Sequence, residues 1–362
     1  MRIPALAVTA AAIMVIGPVG AATAAPPPTG PETLAQGLIG PLHLAVGPGK
    51  SVTVSQEFAS LLTTVNKGST SILYDGGPEW DVAGVDYRGS TAYFLESQGA
   101  GPEDPRPLAG SLKAIDARGN VSTITDQIGA YETSFNPDGS TTYGLSAADA
   151  AANPGCVAQV TAIGFPVSYT GEVDSHPYAL TVVGNTAYVA DAGINAVLAV
   201  DLGTGAIRTL AVLPPRPATI TAEFAAAFGL TDCVGLTYAF EPVPTDVEMG
   251  PDGWLYVSSL PGGPEDATLG ARGAVFRIAP ASGATEVYSE GILSPTGLAL
   301  DGAGNVYVAS LFGEGIYKIP AGSDNASLFL AATNAADVEV SGSTLYATID
   351  AFGNGTLISL KL

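Results

Sequence analysis

The chain has 362 residues, 47% of them hydrophobic and only 13% charged, which is enough to bury a large core in one repeat domain or two ordinary ones. Its 34 acidic residues against 13 basic ones leave a formal charge of -21, which repels phosphate backbones and anionic lipid surfaces. Nucleic acid is therefore not an expected partner.

In chain order, Arg2 precedes an apolar stretch from Ala5 to Ile16, Gly17-Pro18 breaks it, and Ala22-Thr23-Ala24 supplies small residues where a signal peptidase cuts. Residues 1–24 are expected to be a signal peptide and residues 25–31, with Pro26 to Pro28, a flexible spacer. The apolar stretch is too short to span a bilayer and no other run approaches that length, so a secreted, extracellular or periplasmic protein without a membrane span is expected. In such an oxidising compartment Cys156 and Cys233, the two cysteines of the chain, are expected to form a disulfide.

From residue 32 one phrase recurs about every forty residues: a proline or small residue, an apolar strand, a Gly/Asp turn, and a second strand. The first strands begin at Pro41, Asp81, Pro177, Pro244, Pro295 and Ala335. The second strands are Val52-Thr53-Val54, Ala92-Tyr93-Phe94, Ala187-Tyr188-Val189, Leu255-Tyr256-Val257, Val306-Tyr307-Val308 and Leu345-Tyr346-Ala347. Alternation with β-branched and aromatic residues marks strands, and one such unit cannot cover its own apolar faces. Four strands per unit, six times over, predict an all-β, six-bladed β-propeller over residues 32–362. The last unit lacks a fourth strand, whereas residues 32–41 parallel residues 285–295, so the N-terminal strand is expected to close the last blade. Tyr93, Tyr188, Tyr256, Tyr307 and Tyr346 fall on equivalent positions and read as sheet packing rather than a stacking platform.

Insertions at 127–175 and 213–241 interrupt the period and each carries one cysteine. Both leave the same face of the disc, beside the same blade, where residues 99–107 and 261–267 form enlarged loops. That loop-rich, acidic face is the expected site.

First strands line the central channel. Asp246 and Glu248 share one side of a strand, and Asp337 and Glu339 repeat the arrangement two units later. With Asp81, Asp174, His43 and His176 they form a candidate ring around the channel mouth. Asp246, Glu248, Asp337 and Glu339 offer the oxygens that a divalent cation such as calcium prefers; the same acids can instead cap turns or bond amides and water in a wet channel. His176, before a proline at a strand entrance, can act as base or ligand near neutral pH or simply bond a neighbouring backbone group, and His43 inside its strand reads as structural. Gly47-Pro48-Gly49-Lys50-Ser51 imitates a phosphate-binding loop, but Leu44 stands where its first glycine belongs. No Gly-x-Ser-x-Gly elbow, metalloprotease histidine pair or Cys-x-x-Cys occurs.

The segments Asn136-Pro137-Asp138-Gly139, Asp174-Ser175-His176-Pro177-Tyr178-Ala179-Leu180 and Val189-Ala190-Asp191-Ala192-Gly193-Ile194-Asn195 resemble the secreted ScyD/ScyE family, over roughly Ile39 to Leu362. The resemblance implies a six-bladed propeller of NHL-related type. His176 and Ile194 depart from the family's Asn and Gly at those places. Two functions follow as expectations. One is a monomeric binding scaffold whose loop-rich face takes a protein, cell-surface or small-molecule ligand. The alternative is a metal-dependent hydrolase of lactonase or esterase type at the channel mouth.

Overall fold

The computed structural model describes residues 30–101 and 104–362; the expected signal peptide and most of the spacer lie outside the described residues. The strands assemble into seven four-stranded antiparallel sheets. Six take their strands from the sequence repeat. The first sheet runs from Pro41–Val46 through Val52–Gln56 and Leu61–Asn66 to Ser69–Asp75, and the next four begin with Asp81–Arg88, Pro177–Val183, Pro244–Met249 and Pro295–Leu300. The sixth combines Asp337–Ser341, Thr344–Ile349 and Gly355–Lys361 with Glu32–Leu38 from the other end of the chain. The register Glu32↔Ser359 to Leu38↔Gly355 removes the free edge that Gly355–Lys361 would otherwise present.

Each first strand adjoins the next, and Asp337–Ser341 adjoins Pro41–Val46, so the contacts close on themselves. Strand alternation explains what fills the gaps. Leu255 and Val257 point toward the third sheet, packing with Val197 and Phe276, while Tyr256 points toward Leu298 and Val308 of the fifth. Tyr93, Tyr188, Tyr307 and Tyr346 are likewise buried between neighbouring sheets.

Prolines at 41, 177, 244 and 295 open first strands and are each followed by a bulge, a position that needs no ladder N–H. First strands approach one another closely in the channel. A Cβ on Gly84 would lie 2.6 Å from the Ala179 backbone, and one on Gly297 would lie 2.1 Å from the Asp337 carboxylate.

The two insertions build a sheet of their own. Thr142–Leu145 and Ser168–Thr170 pair with Thr237–Phe240 and Arg216–Thr219 from the second insertion. Helices α2 (Ala147–Ala152), α3 (Pro154–Ala162) and α4 (Ala222–Phe228) lie around it, whereas α1 (Ile128–Phe135) packs on strand Ala109–Ile115 of the second sheet. Ser146 and Thr221 cap α2 and α4 through side-chain bonds to amides three residues on. Cys156 and Cys233 are bonded and fully buried among Leu145, Val160, Ile220 and Phe224. Among the described residues no helix is long and apolar enough to cross a membrane.

Candidate functional site

The register places the channel residues in two layers. His43, Ala179, Asp246, Gly297 and Asp337 form the layer nearer the loop-rich face, opposite Ser55, Ala190, Ser258, Ala309 and Thr348. Below it lie Ala45, Asp86, Thr181, Glu248, Ala299 and Glu339, all but the first opposite a tyrosine of the second strand. A narrow cavity joins His43, Asp246, Glu248, Asp337 and Glu339. Three carboxylates stitch neighbouring sheets. Asp86 accepts the Val182 amide at 2.6 Å, Asp246 the Leu298 amide at 2.6 Å, and Asp337 the Leu44 amide at 2.7 Å. Each also accepts the amide of the residue after it. These bonds favour the anion, yet burial prevails and raises the Asp86 carboxyl to about 6 and that of Asp246 to about 7. Burial, then neighbouring carboxylates, likewise hold Asp337, Glu248 and Glu339 well above the usual range.

The sequence candidates therefore divide. Asp246, Glu248, Asp337 and Glu339 sit inside the channel, where two of them serve as backbone staples, whereas Asp81, Asp174 and His176 meet at the mouth. There His176 Nε2 lies 2.7 Å from Asp81 Oδ2. Asp191 at the end of the neighbouring strand holds the turn that presents the imidazole, accepting from the His176 amide and the Ser175 hydroxyl, both at 2.7 Å. Burial disfavours the imidazolium, but the hydrogen bond and charge of Asp81 outweigh it and raise the His176 pKa. Asp174 takes the amides of Gly101 at 3.0 Å and Ser175 at 2.9 Å, tying the enlarged loop of the second sheet to the end of the insertion.

Glu57 completes the mouth and was not expected from sequence. It follows the second strand of the first sheet in the short turn Glu57–Ala59, and that strand end faces the elaborate side. Glu57, Asp81 and His176 each offer a ligand atom within 4.8 Å of the others. Burial first, and Asp81 next, push the Glu57 carboxyl well up. His43 stands 3.6 Å from Glu57, is lowered to about 3 by burial, and is neutral. Neither His43 Nε2 nor Glu57 Oε2 has a hydrogen-bond partner. Tyr178, bulged into the channel, sits with its ring centroid 4.4 Å from that of His43 and 5.4 Å from that of His176. The repeat showed Tyr178 as a strand residue; only the bulge after Pro177 turns it inward.

Two of the cavities on the loop-rich face adjoin the insertion segments. A polar one of about 440 Å³ is lined by Asp81, Asp104, Arg106, Asp174, His176 and Glu241, among others. An apolar one of about 420 Å³ is lined by Ile163, Phe165, Phe224, Phe228, Tyr238 and Phe240, among others, so it is built wholly by the insertion sheet, its helices and the 261–267 loop. Adjacent residues serve the two, Phe240 lining one and Glu241 the other. Across the mouth, Phe58, Phe312 and Phe352 from three equivalent loops stack with centroids 5.9 and 5.6 Å apart, exposed to solvent.

No protein-family model matches the sequence, and no curated protein matches it. Solved structures do match the fold. A gluconolactonase from Xanthomonas campestris aligns at 13% identity and TM-score 0.53, covering 88% of this chain and 85% of that one. The aldose sugar dehydrogenase of Streptomyces coelicolor in its PQQ-bound form aligns at 14% identity and TM-score 0.53, covering 93% and 99%. A catalytically inactive virginiamycin B lyase from Staphylococcus aureus with quinupristin aligns at 13% identity and TM-score 0.50, covering 92% and 98%. At such identities the likeness concerns architecture alone: the chain is an all-β protein with the layout of a β-propeller.

Proposed function

We propose that this is a secreted, monomeric, six-bladed β-propeller of ScyD/ScyE type that binds a small amphipathic ligand on its loop-rich face. The observation that carries the reading is the pair of cavities lined by the neighbouring residues Phe240 and Glu241, one apolar and one lined by hydrogen-bonding groups. Both volumes fall within the roughly 300–1,000 Å³ of small-molecule sites. Apolar burial supplies affinity in the first and directional polar contacts supply selection in the second. Because Asp104 chelates Arg106, the polar wall offers mainly acceptors, which suits hydroxyl or amino groups better than anions. Thermal-shift and calorimetric titrations with aryl and alkyl glycosides test this. Saturable binding that weakens tenfold or more in Asp174→Asn and in Phe228→Ser is expected. The reading fails if no member of the panel binds, or if binding ignores both substitutions.

A second reading, metal-dependent hydrolysis of a lactone or ester, is favoured by the meeting of Glu57, Asp81 and His176. The unbonded Glu57 oxygen and the short His176 to Asp81 contact suit a divalent cation, which those three residues would hold. A bound cation supplies Lewis acidity toward a carbonyl. Against burial, the hydrogen bond and charge of Asp81 raise the His176 pKa, and Tyr178, Gly99 and Arg106 border the mouth. Lactone and ester turnover with added calcium or manganese, abolished in Asp81→Asn and His176→Ala, is the expected result; turnover unchanged in both variants refutes this reading.

A further inference from the structure

Beneath the insertion, away from the mouth triad, lies a set of buried oxygen atoms without hydrogen-bond partners. Both carboxylate oxygens of Glu132, Oδ1 of Asn136 and Oδ1 of Asp138 belong to it. Glu132 and Asp138 are completely buried, 0% exposed in each case. Burying an ionised carboxylate without a partner costs several kcal/mol, which proteins avoid by pairing it, coordinating a cation or keeping it protonated; without a cation, burial raises Glu132 to about 8. The charged groups that act on Glu132 are Asp191, Asp138 and Asp174, all negative, and the backbone amide of Asp174 is the one contact that favours its anion, so no side-chain cation offsets it.

The surrounding bonds hold these oxygens in place. Asp138 uses its other oxygen to accept from Tyr143 at 3.0 Å and Asn195 at 2.9 Å. The Asn136 amide nitrogen donates to the Gly171 carbonyl at 3.0 Å, which fixes its oxygen on the other side of the amide. The glycines leave room: a Cβ on Gly171 would fall 2.1 Å from Asp138 Oδ1, and one on Gly139 would fall 2.8 Å from the Asn136 amide carbon. Glu132 lies in the last turn of α1, Asn136 caps its end in the left-handed conformation, and Asp138 follows just beyond that turn.

We propose that Glu132, Asn136 and Asp138 bind one hard divalent cation of calcium's class, fastening α1 to the 171–174 segment of the insertion. The donors are all oxygen, carboxylate and amide, which suits calcium and excludes a thiolate or imidazole zinc site. Through the Asp138 bond to Asn195, whose own side-chain oxygen accepts the Val243 amide at 3.1 Å, the cation braces the base of the polar cavity.

The test uses the mature protein after chelation. In a His176→Ala background, which removes a mouth donor, calcium titration is expected to give one site per chain, lost when Glu132→Gln or Asp138→Asn is added. Terbium in its place is expected to luminesce on tyrosine excitation, with Tyr143→Phe dimming the signal, because that phenol touches Asp138. Saturating calcium is expected to raise Tm by about 4 °C at a hundredfold excess over Kd. The proposal is overturned if chelated wild type binds neither ion, or if binding survives Glu132→Gln and Asp138→Asn. It is equally overturned if Glu132→Gln raises Tm while calcium leaves wild type unmoved, since Glu132 is then a neutral buried acid. Should either variant fail to fold, the wild-type titration with the His176→Ala control decides.

Discussion

Removing the Cys156 to Cys233 bond should loosen the insertion sheet and lower the melting temperature of the whole chain. The bond joins residues 77 apart in sequence. Loop-closure entropy for a loop of that length is about 15 cal/mol/K, or about 4.5 kcal/mol at 25 °C. The third sheet, Pro177 to Val212, lies inside the closed loop, so this value is an upper bound, reached when that sheet and the insertion melt together. At about 2.1 cal/mol/K of unfolding entropy per residue over about 330 residues, it corresponds to a fall of about 6 °C. Both sulfurs are buried with Val160, Ile220 and Phe224, so a Cys156→Ala/Cys233→Ala variant loses some packing as well, on the order of 1 kcal/mol. Scanning calorimetry of wild type and variant at one pH measures the sum. A fall of about 4–8 °C, or a new low-temperature transition for the insertion, is expected. A variant melting within about 1 °C of wild type with an unchanged profile would refute the reasoning.

In chelator, Tm should fall as pH rises from 5 to 8. Asp246 is raised to about 7, with Asp337, Glu248 and Glu339 also raised, so the folded state holds more protons than the unfolded state across that range. Stability is then lost as pH climbs toward the folded pKa values, up to about 3 kcal/mol for Asp246 alone over this interval. The raised His176 acts with the same sign, and a Tm that climbs over this interval contradicts the assignment. Asp337→Asn should cost about 2–3 kcal/mol at pH 7, because one amide oxygen cannot accept both the Leu44 and Val338 amides; chemical denaturation with an unchanged midpoint would show the staple to be idle. Deleting residues 31–40 should expose the edge of Gly355–Lys361 and produce aggregation or a broadened melt, which light scattering during heating detects.

The repeat was legible because each four-stranded unit writes the same alternation into the chain: apolar residues toward one neighbour, tyrosine toward the other, proline or a small residue where no ladder amide is needed. The disulfide was legible too, since both insertions leave one face beside one sheet. Local pattern could not show that those insertions pair with each other, because Thr142–Leu145 and Thr237–Phe240 lie nearly a hundred residues apart and are too short to announce a sheet. Nor could it separate the acids. Spacing alone put Asp246, Glu248, Asp337 and Glu339 in the channel with Asp81 and His176, whereas depth decides their roles. Asp246 and Asp337 lie where neighbouring strands leave an amide to satisfy, and Asp81 lies where a turn from another sheet delivers His176. Glu57 and Tyr178 joined the mouth through a short turn and a bulge, and Glu132 became an unpaired buried carboxylate only once α1 was covered. Sequence by itself determined the strands and their order because period and polarity are local properties. Tertiary structure decided the sites because burial and the meeting of charges from distant segments exist only after the sheets close around them.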